Sequence, residues 1–300
     1  MTAMRDRVIS IPIGLETIEG YLLFVNPFKS LDHGTLIMKT GDSLPKASIS
    51  VPEPNIWQET YQIRSYEVDC HHRLSVLAIF NFMQEAASRH AEALGVSIQQ
   101  LLAENYTWLL SRLKIKIASF PVWQDQINIR TWPSGAQRLF ALRDFELQDE
   151  ENQALAAAVS AWLVLDVQKR RPVRIGPFVE RLRPLEGEHI LPDTLDKLPG
   201  LEFSTYEKKF VVRYRDLDIN QHVNNVSFVE WLVESIPVRI LNAAVLAELE
   251  INFLAEAFYE DHILAACHPQ DSHNSSFIHS LIRQQDGQEL VRARTVWRTM

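Results

Sequence analysis

Cysteine is nearly absent from this chain. Of 300 residues only two, Cys70 and Cys267, are cysteines. Two thiols exclude a disulfide framework, and with no Cys-x-x-Cys pair there is no zinc-binding spacing. No apolar run approaches the roughly 20 residues that a membrane-spanning helix needs. A positive balance is also missing. The net charge is −8, which disfavours nonspecific nucleic-acid binding. The first residues, Met1 to Arg7, lead into a mixed run from Val8 to Leu15, broken by Ser10, Pro12 and Gly14 and followed by Glu16 and Glu19. That pattern is neither a signal-peptide core nor an acid-poor transit peptide, and a reducing, cytoplasmic location is expected. What remains is ordinary: 46% apolar and 23% charged residues, the mixture of a soluble globular protein of roughly two domains.

The most informative stretch is Asp216-Leu217-Asp218-Ile219-Asn220-Gln221-His222-Val223-Asn224-Asn225. Asp218, Asn220 and His222 alternate. If the segment is extended they share one face. An apolar run follows, Val226 to Leu232, which reads as a helix. A carboxylate, an amide and an imidazole would then converge near a helix N-terminus, a suitable place for an oxyanion. Asn and Asp ahead of an apolar run are also ordinary caps and turn formers, so the stretch acquires functional meaning only from its context.

That context is an internal repeat. Arg64 to Asp69 aligns with Arg213 to Asp218, at an offset of 218 − 69 = 149, and Met83-Gln84-Glu85 with Leu232-Val233-Glu234. Leu113-Lys114-Ile115 pairs with Leu249-Glu250-Ile251 at 249 − 113 = 136, and Trp162 with Trp297 at 297 − 162 = 135. The drop in offset places a longer helix-to-strand connection in the first copy. Each copy reads as a short strand, an apolar helix (75 to 94; 225 to 236, stopped at Pro237) and four strands. Those strands are expected at 110–118, 126–132, 139–148 and 155–167, then at 247–256, 262–267, 276–284 and 290–299. Asp286-Gly287 marks a hairpin turn.

A long helix wrapped by an antiparallel sheet is the hotdog architecture. The expected fold is therefore α+β, a tandem or double hotdog. An N-terminal extension of unassigned role (1–55) precedes the first hotdog (56–183), a linker (184–204) and the second hotdog (205–300). At the positions of Asp218, Asn220 and His222 the first copy has Asp69, His71 and Arg73. The Asn is gone, which suggests that one half keeps chemistry and the other a pocket. Glu256 stands in the apolar context Phe253 to Phe258, where the first copy has Phe120. Burial there would raise its pKa toward that of a general base.

The stretch from Tyr214 to Asn225, with Glu230-Trp231 and Glu234-Ser235 after it, resembles the signature of the acyl-ACP thioesterases. So do Trp108 to Ile115 and Leu249 to Ala257. The resemblance covers about residues 56 to 300. It implies a thioester hydrolase that releases fatty acid from acyl-acyl carrier protein and ends fatty-acid synthesis, with no cofactor and no metal. It also implies that Asp218, Asn220, His222 and Glu256 are the catalytic set. Many plant members carry a Cys after that Glu; here Ala257 follows, so a Cys-His-Asn mechanism is not available at this position.

The resemblance places the acyl pocket in the first hotdog, with Phe82, Met83 and Trp108 as candidate lining. The acidic carrier protein, with its phosphopantetheine-linked chain, requires a basic docking patch, and Lys169, Arg170, Arg171 and Arg174 form the best local run. Two other readings stand beside this one: a hotdog acyl-CoA thioesterase, and a non-catalytic acyl-binding double hotdog. Gly41-Asp42-Ser43-Leu44 spells a serine-hydrolase motif, but the required Asp-x-x-His near the C-terminus is missing. The pattern leaves monomer and homodimer both open.

Overall fold

The computed structural model describes residues 55–300, apart from 186, 188 and 192–194. Residues 1–54 lie outside it, and with them the strand-like pieces at 35–39 and 47–51 and the Gly41-Asp42-Ser43-Leu44 motif.

Alternating apolar positions form the strands. The first half comprises β1 (Trp57–Gln62), helix α1 (Val76–Ala93), α2 (Ile98–Ala103), β2 (Tyr106–Ile117), β3 (Gln126–Gln137), β4 (Phe140–Gln148), β5 (Ala154–Asp166), the short β6 (Arg171–Val173) and α3 (Gly176–Leu182). The second half repeats the plan with β7 (Tyr206–Val211), α4 (Asn225–Glu234), α5 (Val238–Leu241), β8 (Ala244–Phe253), β9 (His262–Pro269), β10 (Ser276–Arg283) and β11 (Glu289–Thr299). The strands join in one antiparallel sheet, ordered β1-β3-β4-β5-β2-β8-β11-β10-β9-β7, with β6 added to β5. Read outward from the β2–β8 junction, the two halves are the same list. This is a double hotdog, as the sequence predicts.

The junction has a local twofold. Lys114 pairs with Glu250, Leu113 with Ile251 and Ile115 with Leu249. Lys114 and Glu250 are counterparts in the repeat (250 − 114 = 136), so the pseudo-axis passes between them. Both are buried, with Lys114 Nζ 3.8 Å from Glu250 Oε2 and Arg294 Nη2 3.0 Å from the same oxygen.

Helix α1 starts at Ser75, whose side chain accepts from the Ala78 N–H. Helix α4 starts at the equivalent Asn224 (224 − 75 = 149), which accepts from the Val226 N–H. Side-chain oxygens at these caps satisfy amides the helix leaves free. Ile79, Phe80, Phe82, Met83 and Ala86 of α1 and Phe228, Val229, Trp231 and Leu232 of α4 enter one continuous core. Burying an aliphatic or aromatic side chain of this size contributes roughly 1.5–3 kcal/mol.

The longer connection in the first copy is α2, closed by a capping box between Ser97 and Gln100. The segment between α3 and β7 crosses the sheet: Leu185 N bonds Pro133 O, Ile190 N bonds Asp144 Oδ2, and Leu198 N bonds Asn252 Oδ1.

Two expectations change. The 216–225 stretch is not extended. It is a tight turn that starts with a 3-10 turn at Tyr214–Asp216 and is clasped by a Leu217–Val223 bridge, with Gln221 at φ 64°. Asp218 closes the turn onto its own backbone, and this wins over extension. Glu256 does not lie in a strand either: β8 stops at Phe253, and Glu256 occupies the following loop.

Candidate active site

The candidate site is the turn before α4 together with the loop after β8. Asp218 builds the turn. Its Oδ1 accepts from Asn220 N at 2.8 Å and His222 N at 3.2 Å, while its own N–H donates to His222 O at 2.7 Å. Gln221 N donates to Asp218 O at 3.0 Å. The loop is tied to the turn because Val223 N donates to Ala257 O at 2.9 Å. This tie brings His222 Nδ1 to 3.3 Å from Glu256 Oε1, both side chains being partly exposed, at 32% and 24%. Phe258 packs edge-on to the imidazole, with ring centroids 5.3 Å apart. Asn220 is exposed at the turn tip, with Nδ2 3.4 Å from Asp218 Oδ2.

Burial raises the Glu256 pKa above the carboxylate range. The neighbouring His222 works against that rise and Asp218 adds to it. A carboxylate partly deprived of water is a stronger base. The first-turn amides of α4 contribute less than the sequence suggests, because Val226 N is taken by Asn224 Oδ1 and Ser227 N by Asn224 O.

Two supporting residues escape a motif reading. Buried Asp216 accepts from Arg213 N (2.7 Å), Nε (3.1 Å) and Nη2 (3.0 Å), and its carbonyl accepts from Asn224 N (2.8 Å). The repeat carries the signal: Glu67 accepts from Arg64 N at 2.8 Å, and its carbonyl from Ser75 N at 2.8 Å.

The candidate pocket residues lie apart from the turn in sequence. Phe82 stacks on Tyr61 at 4.5 Å, Met83 is fully buried in the core, and the Trp108 indole donates to Val96 O at 2.7 Å. The β2–β8 ladder runs from Arg112–Asn252 to Lys116–Glu248. The segment of β2 that carries Trp108 and the loop that carries Glu256 therefore leave the ladder at the same end.

Tyr106 pairs with Asp166 at that end of β2. The turn after Asp166 carries the basic run. Lys169 Nζ lies 3.0 Å from Asp166 Oδ2, Arg170 has φ 55°, and Arg171 opens β6. Arg174 borders a cleft of about 270 Å³ with Tyr106, Phe178 and Arg181. No described helix is long and apolar enough to cross a membrane.

The fold defines a hotdog protein, and its second half carries a cluster of acid, amide and imidazole side chains at this turn. Comparison with known proteins sets the family. Residues 54–180 match the acyl-ACP thioesterase N-terminal domain and residues 202–299 the C-terminal domain, so the chain belongs to the acyl-ACP thioesterase family. It is 28% identical over 258 residues to the chloroplastic palmitoyl-acyl carrier protein thioesterase of Cuphea hookeriana, covering 81% of this chain and 62% of that protein. It is also 28% identical to oleoyl-acyl carrier protein thioesterase 1 of Arabidopsis thaliana, over 98% of this chain and 90% of that one. This chain thus spans less than two thirds of the Cuphea relative. Among solved structures, the 12:0-ACP thioesterase of Umbellularia californica superposes with a TM-score of 0.74 at 25% identity, over 82% of this chain and 98% of that one. An acyl-ACP thioesterase of Bacteroides thetaiotaomicron gives 0.73 at 22%, over 82% and 99%, a likeness of fold.

Proposed function

We propose that this protein hydrolyses the thioester of an acyl-acyl carrier protein, releasing a free fatty acid and the carrier's phosphopantetheine thiol. The observation that carries this reading is the 3.3 Å approach of His222 to Glu256 beside an exposed Asn220. The Glu256 carboxylate takes a proton from water as the water oxygen attacks the thioester carbonyl. Asn220 Nδ2–H holds the carbonyl oxygen as it becomes an oxyanion. The C–S bond then breaks, and the thiolate, whose conjugate acid has a pKa near about 8.5 by analogy with cysteine, recovers the proton from the Glu256–His222 pair. His222 holds the carboxylate in line. Asp218 positions Asn220 and His222 through their backbone amides. Direct attack by Glu256, through an anhydride, uses the same groups and is distinguished by incorporation of solvent ¹⁸O into the protein.

The acyl chain enters the first hotdog at the end of the shared ladder where Trp108 and the Glu256 loop emerge together, and passes toward Phe82 and Met83 on α1. The acidic carrier docks on Lys169, Arg170, Arg171 and Arg174, whose turn lies at that same end. A reducing, cytoplasm-like compartment suits the two free cysteines. The deciding experiment compares hydrolysis of acyl-ACP and acyl-CoA with the same chain, in wild type and in Asn220→Ala, His222→Ala and Glu256→Ala. Hydrolysis of acyl-ACP by wild type, lost in the variants, is expected. A strong CoA preference overturns the substrate, and full activity in all three variants overturns the mechanism.

A further inference from the structure

Arg143 on β4 is only 7% exposed. Its Nη1 donates to His90 Nδ1 at 3.2 Å and to Thr131 Oγ1 at 3.1 Å. Both acceptors are neutral. Thr131 gives its own hydroxyl proton to Asp144 O at 2.9 Å. Because His90 accepts through Nδ1, its proton sits on Nε2, 2.8 Å from Asn55 Oδ1. Burial and the nearby guanidinium hold the His90 imidazole down at about 3. Asn55 in turn donates to the carbonyls of Leu182 and Arg183. The whole relay ends on backbone oxygens, and none of its members is an anion.

Asp144 follows Arg143 in sequence but faces the other side of the sheet. There its carboxylate accepts from Ser134 Oγ at 2.6 Å and Ile190 N at 2.9 Å. Among the described residues, no carboxylate forms an ion pair with Arg143. A guanidinium has five N–H donors, and here Nη1 makes both contacts. Neither Nε nor Nη2 makes a hydrogen bond among the described residues, and since no fully buried side-chain nitrogen there lacks a partner, the residual exposed surface of Arg143 includes these two donors.

The second hotdog shows what else this position can hold. Arg143 pairs with Ser160 and Pro133; Phe277 pairs with Thr295 and Pro269. Those partners are repeat counterparts, since 295 − 160 = 135 and 269 − 133 = 136. The counterpart of Arg143 is therefore Phe277, which is fully buried. The same frame accepts an apolar ring, so the charge in the first hotdog is not imposed by the architecture. A buried charge without a partner is strongly unfavourable.

We propose that the first hotdog contains an internal site for one small monoanion, a halide or a carboxylate, seated on the Nε and Nη2 hydrogens of Arg143. One net positive charge in a neutral shell matches one negative charge. Trp57, stacked on His90 at 5.7 Å, closes the cluster on one side. The site is independent of the hydrolase reading, and failure of either leaves the other standing.

The test uses the full chain. Crystals soaked in sodium bromide are expected to show an anomalous peak within hydrogen-bond reach of Arg143. In solution, chloride is titrated against gluconate at constant ionic strength, and acetate in a parallel series. A saturable rise of about 2–4 °C in the thermal midpoint is expected, and Arg143→Met should abolish it. A rise with chloride identifies a halide site; a rise with acetate alone identifies a carboxylate site. No bromide at Arg143 and no saturable rise in either series overturns the proposal, and these wild-type measurements decide the matter even if the variant does not fold.

Discussion

The turns at 69–73 and 218–222 are nearly the same object. In the first, Asp69 Oδ1 accepts from His71 N at 2.8 Å and Arg73 N at 3.0 Å, Asp69 N donates to Arg73 O at 2.7 Å, and His72 sits at φ 63°. In the second, Asp218 makes the corresponding bonds at 2.8, 3.2 and 2.7 Å, and Gln221 sits at φ 64°. The backbone device is therefore independent of the side chains at 220 and 222 and of their counterparts at 71 and 73. What differs is outside it. Arg73 turns back on Asp69 in an ion pair of 3.0 Å, where His222 instead faces Glu256. Phe120 holds the place of Glu256. The aspartate closes the turn in both halves; the groups to which the proposed mechanism gives the chemistry, His222, Glu256 and Asn220, are found in the second half alone.

The largest expected effect comes from making the turn at 218–222 resemble the one at 69–73. Asn220→His or His222→Arg should lower kcat/KM by about 10²–10⁴-fold, the range for losing an oxyanion donor or a general base, with the thermal midpoint little changed. If His222→Arg retains more than a tenth of the wild-type rate, the imidazole is not part of the mechanism.

Next comes the charge pair at the pseudo-axis. Glu250→Lys sets two ammonium groups together in a buried position and should cost roughly 3–5 kcal/mol by denaturant titration. Adding Lys114→Glu should recover part of that loss, and no recovery would mean that the pair does not couple. Asp69→Ala and Asp218→Ala should each cost about 0.5–1.5 kcal/mol as the amides of an exposed to half-buried turn lose their acceptor. Only Asp218→Ala should also reduce hydrolysis. Equal activity loss in both would erase the distinction between the turns.

The smallest effect is a pH dependence. Glu256 has a folded pKa above its unfolded value, so the folded state binds its proton more tightly. That stabilisation is complete below the unfolded pKa and is lost as pH rises through the folded pKa. At neutral pH, Glu256→Gln should therefore be inactive yet more stable than wild type, a gain that vanishes in acid. Thermal midpoints at pH 4 and pH 7.5 measure it. The acid limb of kcat/KM should likewise fall above the ordinary carboxylate range.

Much of this was legible in residues alone. The repeat offsets survive because turn-closing Asp, strand-facing Leu and Ile, and the Trp162/Trp297 pair keep their identities under the same packing. Other features depend on pairing or local closure. Nothing in Gln221 announces a positive φ; the carboxylate of Asp218 imposes it. Where β8 ends is set by its neighbours, so Glu256 read as a strand residue. The equivalence of Arg143 and Phe277 is invisible in the letters, because a guanidinium and a phenyl ring share no pattern; only the Ser160/Thr295 and Pro133/Pro269 registers reveal it.

The opposite charges at Lys114 and Glu250 also bear on heredity. In an assembly of two identical chains, the residue on the axis meets itself, and any change there is made twice. Lysine facing lysine, or glutamate facing glutamate, would repel in a dry seam. The unlike pair could arise only once the two halves were encoded separately, and it then penalises first-with-first or second-with-second pairing. From that point each half could vary without its twin, and histidine could stay on one side while arginine settled on the other.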